Sequence, residues 1–313
     1  MKSNVHIPVL LDEVISGLNI KSNGYYVDMT MGRAGHSRVI LSKIKDGFLL
    51  DIDQDDEAIE YSTKFLKETG TNFKIVKANF KDIGNVLDKE GVKEIDGALY
   101  DLGVSSPQFD EGYRGFSYRF DAPLDMRMDL EKSLTAKEVV NTYSLKDLTR
   151  IFRDYGEEKD SYQIAKNILK TREIKPIETT FELVDVIKKS KTMKELRKPG
   201  HPAKQIFQAL RIEVNNELGS LQISLEDVIN RLKVGGRICV ITFQSLEDRI
   251  VKNLFKKYSV VEGNRVNDFI SSKDIKTPDY KEVNRHVIIA SEDEIKENPR
   301  SKSAKLRILE RLK

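Results

Sequence analysis

The sequence predicts an α/β fold built on a parallel, doubly wound sheet. Three observations carry that expectation. Short apolar runs alternate with stretches of helical spacing through the first third of the chain. A glycine turn separates the first run from the helix that follows it. The strand signal vanishes in the middle and returns in the last third, as in one α/β domain interrupted by a helical insertion.

Residues 25–29, Tyr-Tyr-Val-Asp-Met, read as the first strand. Residues 38–45 carry Val39, Ile40 and Ile44 at helical spacing, and residues 47–53 form a second strand. Asp55 is placed to cap the next helix, whose Ile59, Phe65 and Leu66 suit one buried face. Residues 73–76 make a third strand, ending near Asn79 and Phe80. Ile83 and Leu87 mark a short helix before a fourth strand at residues 95–99.

The first turn, residues 30–37, holds Gly32-x-x-Gly35 at a helix N-terminus, where a ligand can come close to the backbone. An acidic residue for a ribose is expected at the end of the next strand, roughly 20 residues on. Asp51 and Asp53 both qualify. Alternation puts them on the same side, so strand geometry leaves the choice open. The turn lacks the G-x-G-x-x-G triplet of dinucleotide sites. It therefore suits a cofactor with adenine and ribose but no phosphate, and S-adenosylmethionine is one. Acidic side chains would meet its sulfonium and backbone N–H groups its carboxylate.

The fourth strand runs into Tyr100-Asp101-Leu102-Gly103-Val104-Ser105-Ser106-Pro107-Gln108. Ligands of open α/β sheets bind beyond the carboxyl ends of the strands. An Asp at a strand end, followed by Gly, two Ser and Pro, stands where chemistry is expected.

In the middle, Thr135-x-x-Glu138, Ser144-x-x-Asp147 and Thr179-x-x-Glu182 each resemble a capping box. Helical stripes follow: Leu145, Leu148, Ile151 and Phe152, with Gly156 to end that helix; then Ile164, Ile168 and Leu169; then Phe181, Val184 and Ile187. The expected division is an α/β domain in two parts, residues 1–112 and 201–313, with residues 113–200 an all-helical substrate-recognition insertion. The insertion ends in a basic run, Lys188, Lys189, Lys191, Lys194, Arg197, Lys198 and Lys204, broken by Glu195. A solvated helix face and a phosphate-contacting patch both fit such a run.

Residues 205–232 read as one helix with Ile206, Leu210, Val214, Leu218 and Leu221 on one face, closed by Gly235-Gly236. Residues 237–243 are a fifth strand. Ser245-x-x-Asp248 is placed to cap the next helix, with Ile250, Val251, Leu254 and Phe255 inward, and residues 287–290 are a late strand. The tail from Arg300 mixes basic and apolar residues.

The formal net charge is +3, so any nucleic-acid footprint has to be local. A single cysteine, Cys239, excludes an internal disulfide framework and a multi-cysteine zinc site, and its apolar surroundings suit an inert buried thiol. His6, His36 and His201 show no metal-ligand spacing. No apolar stretch reaches the length of a signal peptide or membrane span, so a soluble cytoplasmic protein is expected.

Several blocks together resemble one family, the bacterial 16S rRNA (cytosine-N4)-methyltransferases, called RsmH or MraW. They are residues 6–14, 28–37, 51–53, 101–108, 114–129, 155–158, 201–203, 207–218, 243–252 and the tail at 298–311, in the family's order across nearly the whole chain. The resemblance implies a class I (Rossmann-like) S-adenosylmethionine-dependent methyltransferase fold with an inserted helical domain. It implies methyl transfer to a cytosine amine in the decoding region of 16S rRNA, within the small ribosomal subunit, and leaves a homodimer open. It implies cofactor contacts at Ala34, Gly35, His36, Asp53, Phe80, Asp101 and Gln108, which chooses Asp53 over Asp51. Two positions depart from the family: Ala34, where Gly is commoner, and Gln244, in a segment usually Phe-His-Ser. Gln can hydrogen-bond there but does not shuttle a proton.

A cytosine amine is a poor nucleophile because its lone pair is delocalised into the ring. A site has to hold it in line with the methyl group. Ser105-Ser106-Pro107 resembles the Asp, Asn or Ser followed by prolines that unrelated amino-methyltransferases place after their fourth strand. The catalytic candidates are therefore Asp101, Ser105, Ser106 and Pro107. A carbonyl or hydroxyl of the turn would grip the amine, and Asp101 would orient cofactor or substrate. Two rival classes share these features: a methyltransferase acting on DNA or protein, and a non-catalytic RNA-binding assembly factor.

Overall fold

The computed structural model describes residues 8–103, 112–261, 277–284 and 286–313 of the chain. Two compact units emerge, one of residues 1–103 with 218–313, the other of residues 104–217.

The first unit holds an eight-stranded sheet: β1 (Tyr25–Asp28), β2 (Phe48–Asp53), β3 (Phe73–Lys77), β4 (Ile95–Asp101), β5 (Leu232–Thr242), β6 (Tyr280–Glu282), β7 (Ile288–Ile289) and β8 (Lys305–Arg311). Its order is β3-β2-β1-β4-β5-β8-β6, with β7 also on β8. The first five strands pair in parallel. β8 runs antiparallel to β5, β6 and β7. The chain steps outward from β1 to β3, then crosses back to lay β4 beside β1. The carboxyl ends of β1 and β4 therefore flank the point where the strand order reverses, the usual place for a ligand.

Period-two alternation sends Val27, Leu50, Ile52, Tyr100, Ile238 and Val240 to one core. Tyr26, Leu49, Leu99, Cys239 and Ile241 face the other. Helices Ile83–Lys89, Glu217–Asn230 and Ser245–Ser259 supply the first core, and helices Leu11–Leu18, Gly35–Lys43 and Asp56–Thr69 the second. With both faces covered, the central strands are near-continuous apolar runs, which is why they were legible.

The second unit gathers helices Ala136–Thr142, Leu145–Asp154, Ser161–Ile174, Thr180–Ser190 and Lys204–Asn215 around Leu148, Ile151, Phe152, Ile164, Leu183, Ile187 and Leu210. Thr135 with Glu138 and Thr179 with Glu182 form the expected reciprocal capping boxes, and Ser144 accepts the N–H of Asp147 at 3.1 Å.

Four expectations need correction. The helix foreseen at 205–232 is two, Lys204–Asn215 and Glu217–Asn230, parted at Asn216 with φ 50 and ψ 44. Asn tolerates this left-handed conformation better than other side chains. The break has a cause: Ile206, Leu210 and Val214 belong to the helical core, whereas Leu221, Leu225 and Val228 belong to a sheet core. The helical unit accordingly runs to Glu217. Gly235 and Gly236 lie inside β5 rather than ending a helix, where Gly235 has φ +75 and the β4–β5 register shifts. The helix after β5 is not opened by Ser245 and Asp248. Glu247 Oε2 accepts the N–H groups of Phe243 and Gln244 at 2.9 and 3.2 Å, while Asp248 pairs with Arg307 at 2.7 Å.

The fourth correction concerns the basic run. Lys191 is no surface cation: its ammonium lies 2.6 Å from Glu158, and the two side chains are 7% and 3% exposed. Lys198 pairs with Glu195 at 2.7 Å. Lys188, Lys189, Lys194, Arg197 and Lys204 are exposed.

Candidate active site

Four carboxylates crowd the carboxyl ends of β1, β2 and β4. Asp28 closes β1 and is buried; Ser37 Oγ donates to it at 2.6 Å and the N–H of Thr30 at 3.1 Å. These bonds fold the glycine turn back over the strand end. Burial still pushes Asp28 up to about 6. Asp51 lies opposite Asp28 across the β1–β2 pairing, fully buried, with no hydrogen-bond partner for either oxygen among the described residues. Burial, then the charge of Asp28, raises its carboxyl well above the ordinary value.

Asp53 ends β2 and is half-buried. Its Oδ2 accepts the N–H of Gly32 at 2.8 Å and its Oδ1 that of Asp55 at 2.9 Å. Burial raises it to about 6 against the opposing pull of those N–H groups. Each oxygen keeps lone-pair capacity for a further donor.

Asp101 ends β4 with its carboxylate 22% exposed. Its own N–H donates to Thr30 Oγ1 at 2.7 Å, tying the β4 end to the glycine turn. Burial, then the charges of Asp28 and Glu247, push the carboxyl up to about 8. His36 Nδ1 stands 3.7 Å from Asp101 Oδ2, too long for a hydrogen bond, while Nε2 lies 2.9 Å from the Val9 carbonyl oxygen.

The turn between β1 and its helix depends on backbone freedom. Gly32 has φ +50, and a Cβ there would meet nothing nearer than 3.7 Å, so the space above it is open. Ala34 has φ 56 and is fully buried, so the Cβ is accommodated in the left-handed region at the helix N-cap. Gly35 begins the helix, and an added Cβ would lie 2.5 Å from Pro8. The first-turn N–H groups at Gly35, His36 and Ser37 lie where a helix receives a carboxylate. Phe80 follows β3, its ring edge-on to Tyr100 with centroids 5.9 Å apart.

The structure thus brings Ala34, Gly35, His36, Asp53, Phe80 and Asp101 to one end of one sheet. Ser105, Ser106, Pro107, Gln108 and His6 lie outside the described residues. Two residues were passed over at the sequence level. Asp28 was signalled by its place at the end of the first strand, directly before the glycine turn. Glu247 was hidden because its neighbour Asp248 fitted the capping pattern equally well.

This donor set fits S-adenosylmethionine. A permanent positive charge relieves the crowding of four carboxylates, two of them buried; Asp53 offers two acceptor oxygens to a diol; and the Gly32 turn leaves room for close approach. The sheet order and this site define a class I S-adenosylmethionine-dependent methyltransferase.

The chain belongs to the MraW methylase family, whose profile matches residues 3–312. It is 53% identical over 312 residues to a protein of Mesoplasma florum named ribosomal RNA small subunit methyltransferase H, covering 98% of this chain and 99% of that one. A Streptococcus dysgalactiae subsp. equisimilis protein of the same name is 51% identical over 98% of each chain. Among solved structures, an rRNA methylase from Streptococcus thermophilus aligns with a TM-score of 0.43 and 10% identity, over 97% of this chain and 94% of that one. Among the described residues, no helix is long and apolar enough to cross a membrane, and no group of three or more His, Cys, Asp or Glu is placed to hold a metal.

Proposed function

We propose that this protein transfers a methyl group from S-adenosylmethionine to N4 of a cytosine in the decoding region of 16S rRNA, acting in the cytoplasm on the small ribosomal subunit. The observation that carries the reading is end-to-end similarity, at 53% and 51% identity, to two proteins named as small-subunit rRNA methyltransferases. A DNA or protein substrate has no such support.

When bound, the cofactor supplies a methyl group on a positively charged sulfur that leaves as a neutral thioether. The chain's own residues do the rest. Asp53 holds the ribose diol, and Phe80 packs beside the adenine. Ala34, Gly35 and His36 present the helix N-terminus to the carboxylate. Asp101 orients the charged end, its position set by Thr30 and by the carboxyl end of β4. Gln108 completes the cofactor contacts. Ser105, Ser106 and Pro107 grip the amine; they follow Gly103 in the sequence, whose φ of +118 side chains rarely adopt. The helical unit recognises RNA through its exposed cations, Lys188, Lys189 and Lys194 among them.

Transfer of labelled methyl to undermethylated small subunits, with DNA and protein as controls and the product base mapped, tests the reading. Label at N4 of a single 16S cytosine is expected. Label on DNA or protein alone, or none, overturns it.

A further inference from the structure

His201 stands just before helix Lys204–Asn215 in the helical unit, and the exposed cations of the basic run lie on either side of it in the chain. Its imidazole stacks on the ring of Tyr118, with centroids 4.2 Å apart and planes within 7°. Tyr118 is held in turn by Phe207, edge-on at 5.7 Å, and packs against the helical core. Both stacked rings are half-buried. The Ala203 N–H donates to His201 Nδ1 at 3.3 Å, so the neutral ring carries its proton on Nε2. Nε2 has no hydrogen-bond partner among the described residues. Burial, then the charges of Lys188 and Arg119, hold the imidazole below its ordinary value, which keeps it neutral at pH 7. More rings lie alongside. Helix Thr180–Ser190 carries Phe181, 44% exposed, and Lys188 seven residues on along the same face. Thr180 Oγ1 donates to the carbonyl of Phe120, itself 47% exposed, at 2.6 Å. A solvated charge run needs no aromatic rings, and a packing cluster needs no cations. Rings interleaved with cations are what single-stranded nucleic acid binds.

We propose that Tyr118 and His201 form a stacking platform for one unpaired nucleotide of the RNA substrate, with its base laid on the imidazole and the neighbouring phosphates met by Arg119 and Lys188. The inference rests on the reading that the substrate is RNA. A base on His201 extends a stack that Phe207 already steadies, so little order has to be gained on binding. The Nε2 proton is offered to an oxygen of the same nucleotide. A duplex hides its base faces in its own stack, so the platform takes unpaired RNA and leaves paired RNA to the cations alone. The contact is sequence-tolerant, since every base has a flat π-face. It therefore holds the strand and leaves the choice of the methylated base to the catalytic unit.

His201→Asn keeps an acceptor for the Ala203 N–H and removes the ring; His201→Phe keeps a ring and removes the Nε2 proton. Binding is measured to a short single-stranded RNA carrying 2-aminopurine, whose fluorescence is quenched on stacking, and to a duplex of the same sequence. The wild type should quench the single strand. His201→Asn should lose most of that quench and about ten-fold in affinity, with the salt slope unchanged because no charge is removed. His201→Phe should keep the quench and stay within about three-fold of the wild-type affinity. Lys188→Ala should do the opposite of His201→Asn, lowering the salt slope by about 0.7 and keeping the quench. On undermethylated small subunits, His201→Asn should raise KM more than it lowers kcat, with affinity for S-adenosylhomocysteine unchanged. If His201→Asn does not fold, His201→Ala carries the same comparison. A wild type that leaves the probe unquenched, a His201→Asn variant that binds and quenches normally, or an equal loss for the duplex overturns the platform. A wild-type protein that methylates no rRNA on those subunits overturns the functional reading instead, whatever His201 does.

Discussion

The carboxylate of Asp53, at the end of β2, accepts the backbone N–H of Gly32 at 2.8 Å, joining the ribose candidate to the glycine turn. Asp51, two residues earlier, is buried opposite Asp28 instead. Asp53→Ala should therefore weaken cofactor binding by roughly ten- to a hundred-fold, the usual worth of a hydrogen bond to a charged group. Asp51→Ala should weaken it less. Calorimetry on both folded variants decides, and equal losses would remove Asp53 from the ribose.

The carboxylate crowd also makes a prediction about pH. Asp28, Asp53 and Asp101 have folded values raised to about 6, 6 and 8. Their stabilising effect is complete below the unfolded value near 4 and is lost as pH rises through the folded values. The cofactor-free protein should accordingly become less stable to urea between about pH 4 and about pH 8. Cofactor affinity should run the other way, rising roughly ten-fold or more from about pH 5.5 to about pH 7.5 as Asp101 ionises. Asp101→Asn should flatten that rise and weaken binding at the upper pH. A flat wild-type profile would count against charge attraction at this site.

Lys191 and Glu158 form a buried pair inside the helical unit. Breaking such a pair strands a charge, so Glu158→Ala or Lys191→Met should cost about 3–5 kcal/mol in urea unfolding. Lys188→Ala, at an exposed position, should stay within about 0.5 kcal/mol. Removing charge at Lys188, Lys189 and Lys194 together should instead weaken RNA binding and flatten its salt dependence, with cofactor affinity unchanged. An unaltered salt slope would return these lysines to the role of a solvated face.

If the turn after β4 positions the amine, Ser105→Ala and Ser106→Ala should lower kcat more than they raise KM, with cofactor affinity nearly intact. If a backbone carbonyl does the gripping, both should be mild and Pro107→Gly should hurt more by loosening the turn. Single-turnover methylation at saturating cofactor and RNA separates these cases. Wild-type rates in all three variants would make the loop structural.

The order of elements through β4 was readable because each central strand is an apolar run closed by turn residues and each helix carries one apolar face. The glycine turn and the acidic strand ends were readable for the same local reason. β8 was not: its buried Leu306 and Ile308 alternate with Lys305 and Arg307 on one face while Leu309 is buried on the other, and the pattern gains meaning only beside β5. Arg307 then meets Asp248, a partner distant in sequence.

What the sequence determined by itself is the fold class, the family and the set of strand-end residues, since these follow from local periodicity and contiguous motifs. Tertiary structure decided the rest, because burial and charge pairing depend on neighbours far away in the chain. It parted the helix at Asn216 between two cores and separated Asp53 from Asp51 by the N–H of Gly32. It took Lys191 out of the basic run by burying Glu158 beside it.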